Sequence, residues 1–90
     1  MSATQDAVLI QAALDRLRLD HPAPAVLAAA TTALTTPAQN RAWLTQVAEH
    51  VASSRPCCRA GAARCEYARH ALAMARRILD AVHAERKAPA

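Results

Sequence analysis

The chain has no phenylalanine, and only one tryptophan, one tyrosine and one glycine among its 90 residues. An aromatic content this low removes the bulkiest core-filling side chains, and a lone glycine excludes collagen-like, linker-like and prion-like compositions. Large aliphatics are scarce too. Leu, Ile and Val together number 16, about 18% of the chain, against 25 alanines. The 53% hydrophobic content therefore describes many small side chains, not a voluminous core. Chains with so few large aliphatics stand near the level at which apolar volume becomes too small to fold alone. No run of about eighteen apolar residues occurs, so no segment reads as membrane-spanning. The opening stretch MSATQDAVLI carries neither a basic n-region nor a long apolar h-region, and no secretion signal is read there. The length fits one domain, residues 1–90, with fraying expected near 1–3 and 87–90.

What the chain does contain is helical period. At 100° per residue Ala7, Ile10, Leu14 and Leu17 share one face of a first helix, expected at about 4–19. Val8, Ala12 and Leu19 form a second apolar strip, which suits a central helix or one shared with another copy. A second helix is expected at about 22–35, entered through Pro22 and Pro24 and capped by Asp20 or His21. Thr36-Pro37-Ala38-Gln39 is the sharpest local signal, with Thr36 at N-cap and Gln39 at N3 of a capping box. It opens a third helix at about 37–53, whose inner face holds Trp43, Leu44, Val47 and Val51, with His50 at its edge beside Trp43. The connection 54–61 is irregular and contains the cysteine pair. A fourth helix follows at about 62–86. Its apolar face runs from Tyr67 through Ala68, Ala71, Leu72, Met74, Ala75, Ile78 and Leu79 to Val82. The fold class is all-α, a small antiparallel bundle of about four helices.

Charge is unevenly placed. The net formal charge is +4. Residues 1–54 sum to −1, while residues 55–90 sum to +5. A basic half attracts anionic partners, and arginine forks onto carboxylate and phosphate better than lysine does. Arg59, Arg64, Arg69, Arg76, Arg77 and Lys87 are the candidate docking cations. The partner they imply is an acidic protein surface or a nucleic-acid backbone. Solvated cations from an arginine-favouring genome would produce the same composition.

Cys57, Cys58 and Cys65 lie within nine residues, between His50 and His70. Three thiolates and an imidazole suit tetrahedral zinc, and a vicinal pair with a third thiolate suits a soft ion. Against this, adjacent cysteines rarely both reach one tetrahedral ion. Were the fourth helix to start at Pro56, Cys58 and Cys65 would stand about 10 Å apart along its axis. A disulfide from Cys57 or Cys58 to Cys65 needs the same fold-back. The third outcome is plain packing of three small apolar thiols. An odd cysteine count suits a reducing, cytoplasmic setting. No cofactor is demanded elsewhere in the chain.

Catalysis finds little support. Neighbouring arginines and His50 or His70 could activate a thiol, but no glycine-rich oxyanion loop or third orienting residue accompanies them. Glu66, His70, Asp80 and His83 fall on the polar side of the fourth helix, unlike the inward Glu-x-x-His motifs of di-iron bundles. Gln39, Asn40, Arg41, Thr45 and Gln46 are residue types that read base edges, yet Pro37 stands where a helix-turn-helix usually carries glycine. The expectation is a small non-catalytic interaction protein, a regulator, inhibitor or adaptor. It is expected to be homodimeric and to dock an acidic macromolecule through its basic last helix. The alternative is a metal-responsive or metal-stabilised module.

Overall fold

A computed structural model describes residues 3–53 and 65–87. Four α-helices account for most of them: α1 (Ala3–Leu17), α2 (Pro24–Ala29), α3 (Pro37–Ala52) and α4 (Glu66–Lys87). No strand occurs among the described residues. The all-α bundle expected from the periodicity is what the chain forms. α1 packs against both α3 and α4, and α2 lies against α4. Between them Ile10, Leu14, Leu44, Val47, Val51 and Ile78 are fully buried. Alanine supplies much of the remaining core, with Ala13, Ala30, Ala68, Ala71 and Ala75 completely enclosed. A methyl side chain lets helix backbones approach closely, so a core poor in large residues still excludes water.

α1 follows its pattern. Ile10, Leu14 and Leu17 point inward, with Asp6 in the first turn and Arg16 in the last complementing the helix dipole. Its second strip stays in solvent: Val8 is 63% and Leu19 53% exposed, while Ala12 is half-buried.

The clearest departure is α2, which spans six residues where fourteen were expected. Its N-cap is Ala23, held extended before Pro24 and making no side-chain cap. Asp20 and His21 are exposed and lie outside the helix. Its end has three causes. The Thr31 hydroxyl donates to the Leu27 carbonyl at 2.7 Å, a back-bond of the kind that bends helices. Next, the Thr32 hydroxyl oxygen accepts from the backbone N–H groups of Leu34 and Thr35 and pairs with the Thr35 hydroxyl at 2.6 Å. Those bonds offer the backbone a turn in place of a helical ladder. Finally, the buried Asn40 amide donates to the Ala30 carbonyl at 2.6 Å, tying the end of α2 to the first turns of α3.

α3 starts as its capping box dictates. The Thr36 hydroxyl accepts from Gln39 N–H, and the Gln39 side chain accepts from Thr36 N–H at 2.8 Å. In α4 the apolar strip holds from Ala68 to Ile78, with Leu79 and Val82 partly buried. Tyr67 departs from it, at 46% exposed.

Asn40→Ala should lower unfolding free energy by about 1–3 kcal/mol, the usual cost of losing one buried partner of a hydrogen bond. Thr36→Ala should lower it by about 1 kcal/mol through loss of the cap. Urea unfolding followed by circular dichroism reads both; an unchanged midpoint in Asn40→Ala would show that α2 is not anchored by this bond.

Candidate functional site

The outer face of α4 follows from its inner one. Because Ala68, Ala71, Leu72, Ala75 and Ile78 are buried, the residues about half a turn away face solvent: Arg69, His70, Ala73, Arg76, Arg77 and Asp80 are all exposed. Arg69, Arg76 and Arg77 thus stand exposed on the outer side of α4, with Glu66, Asp80 and Glu85 exposed on the same helix. Lys87 is its last residue, and its side chain lies outside the described set. Arg59 and Arg64 also fall outside the described residues, as do Cys57 and Cys58.

One side of this face borders a groove of about 520 Å³. Trp43, Ala73 and Met74 give it apolar walls, and Thr32, Thr35, Gln39, Asn40, His70 and Arg77 complete its lining. His70 therefore belongs to the groove. Three of the residue types that could have read base edges are engaged within the fold, while Arg41 and Gln46 are exposed. Gln39 serves the capping box, Asn40 holds Ala30, and the Thr45 hydroxyl donates to the Arg41 carbonyl.

A second constellation lies where α3 ends and α4 begins. The Cys65 carbonyl accepts from Ala68 and Arg69 N–H, placing Cys65 at the N-terminus of α4, where orphan backbone donors favour negative charge. Its side chain is buried, 5% exposed, with Sγ 3.7 Å from His50 Nε2. The His50 ring meets Tyr67 edge-on, centroids 4.9 Å apart. Tyr67 is thus an aromatic partner of His50. Two of the candidate ligands are brought together. A sulfur and a nitrogen on one tetrahedral zinc would be separated by about 3.5 Å, close to the spacing found. The same spacing suits a thiol–imidazole hydrogen bond. Among the described residues no group of three His, Cys, Asp or Glu side chains converges.

Two buried polar residues escaped the sequence reading. Asp6 is almost fully enclosed in the first turn of α1. Its position one turn before Ile10 put it on the core face, which was the available signal. Asn40 carries no comparable signal, since its residue type alone suggests base reading and not burial.

No family model, curated protein or solved structure matches this chain. No helix among the described residues is long and apolar enough to cross a membrane.

In a Cys57→Ser, Cys58→Ser background the remaining thiol should react with an aromatic disulfide at least about a hundredfold more slowly in native protein than in denaturant, because a buried thiol reacts only through opening. Equal rates would show that Cys65 is not enclosed.

Proposed function

We propose that this chain is a non-catalytic interaction protein, a regulator or adaptor that docks an acidic macromolecule on the outer face of α4. The observation that carries the reading is the exposure of Arg69, Arg76 and Arg77 on one long helix whose opposite strip is committed to the core. Arginines fixed on a rigid helix lose less freedom on pairing than cations on loose segments, and they present forked donors to carboxylates or phosphates. The mechanism is electrostatic attraction followed by steric occlusion or bridging of a larger partner. The expected state is a homodimer, in which the solvent-facing Val8 of α1 and Leu19 just beyond it would be covered by a second copy. Cytoplasmic residence, inferred from the odd thiol count, belongs to the same reading.

A second reading is favoured by the Cys65–His50 approach: a zinc- or soft-ion-binding module in which these two side chains supply a thiolate and an imidazole. His70, on the groove, is not part of that pair.

Polyglutamate and random duplex DNA serve as probes of the basic face. Binding should weaken steeply with added salt, and the triple reversal Arg69→Glu, Arg76→Glu, Arg77→Glu should weaken it at least about tenfold. Affinity that ignores both salt and reversal would end the docking reading. For the second reading, metal analysis of the purified protein with a free-thiol count should find bound ion that Cys65→Ser and His50→Ala each release. Metal-free protein with unaltered stability on zinc titration would end it.

A further inference from the structure

The groove beside α4 differs from the other concavities in its charge. A groove of about 460 Å³ between α1 and α3 is lined by small residues with Arg18 and Glu49 both present, so it favours neither sign of charge. The Trp43 groove contains Arg77 and His70 and no carboxylate among its lining residues. Its walls are pre-set by bonds internal to the fold: the Thr32–Thr35 hydroxyl pair, the Thr36–Gln39 capping box and the Asn40–Ala30 bond. A site already held in shape loses little freedom when occupied. Along α4, His70, Ala73 and Arg77 recur at helical spacing, so the groove's edge is also the edge of the basic face carrying Arg69 and Arg76.

We propose that this groove seats an acidic peptide segment of a partner protein. The segment places one apolar side chain against Trp43 and Met74, and its carboxylates meet Arg77, His70 and the neighbouring Arg76. The proposal rests on α4 being the docking face and names what docks there. Three features favour a peptide over nucleic acid. The walls are apolar as well as basic, matching an anchor side chain flanked by acids. Glu66, Asp80 and Glu85 are exposed on the same helix, and they would repel a closely spaced phosphate chain. A peptide can space its carboxylates to avoid them. Lastly, a single tryptophan offers no succession of stacking platforms for bases.

The test is selection from a displayed library of random short peptides against the intact protein. Emission from Trp43, the chain's one tryptophan, reports occupancy of the groove. Selected peptides should be acidic around an apolar residue and should shift Trp43 emission. They should lose about tenfold or more in affinity when that residue becomes glycine, the scale of a lost anchor. Ala73→Leu fills the groove without changing charge at an exposed helical position, so folding is preserved, and it should weaken binding comparably. Arg69→Glu, outside the groove lining, reports the wider face. If Ala73→Leu and the glycine peptide bind as the originals do while Arg69→Glu fails, the groove assignment falls and the docking face survives. If selected peptides are not acidic, or ignore both substitutions, the two fall together. If no peptide emerges, the proposal is overturned; a shift of Trp43 emission by random duplex DNA would then identify nucleic acid as the occupant.

Discussion

Close approach of helix backbones across enclosed alanines is the constraint on which the rest of this protein depends. With large aliphatics so few, the core cannot be filled by bulk, and α4 commits Ala68, Ala71 and Ala75 to contact at the distance a methyl group allows. That commitment fixes the rotation of α4 about its axis. Once the alanine strip faces inward, Arg69, Arg76 and Arg77 have no freedom to do anything but face water. The basic face is thus a consequence of packing as well as of composition, and a bulkier residue in the strip would disturb both together.

A core of this kind leaves unusual weight on polar locks. Side chains that elsewhere decorate a surface here decide where elements end: Thr31 and Thr32 stop α2, Thr36 and Gln39 start α3, and Asn40 ties one to the other. The Asn40 amide is the most consequential. It is buried, and it satisfies a carbonyl at a helix end, where acceptors would otherwise lack partners.

The sequence was most legible where a signal was local and chemically specific. Thr36-Pro37-Ala38-Gln39 fixed the start of α3 because a capping box involves only neighbours in the chain. The inward faces of α1 and α4 were equally plain from their period, since burial of Ile10, Leu14, Leu72 and Ile78 needs no knowledge of which helix lies opposite. α2 was misjudged because AVLAAATTALTT carries no glycine or proline to mark its end. One of the bonds at its end, from Asn40, comes from ten residues away and works only through the tertiary fold. The meeting of His50 with Cys65 is one of several pairings that the cysteine–histidine cluster allows, and the sequence does not single it out: fifteen residues separate them, and no spacing rule predicts how α3 and α4 converge. Tyr67 looked like core by period, yet it lies at the end of the apolar strip, where an edge-on contact with His50 leaves much of its ring in water.

The bonds that end α2 also shape the groove beside Trp43. Had the helix continued to Thr35, the segment beside Asn40 would have been a straight rod with its threonines pointing around the axis. Broken at Ala30, the chain turns through the Thr32–Thr35 bond instead, and that turn becomes one wall of the groove facing Trp43 and α4. Asn40 therefore stands at both ends of the logic, as the anchor of the turn and as part of the groove lining. Fold stability and the shape of the proposed binding groove are thus coupled through one amide. Substitutions that alter groove shape from within will carry a folding penalty, whereas those at exposed positions such as Ala73 and Arg77 can change recognition alone.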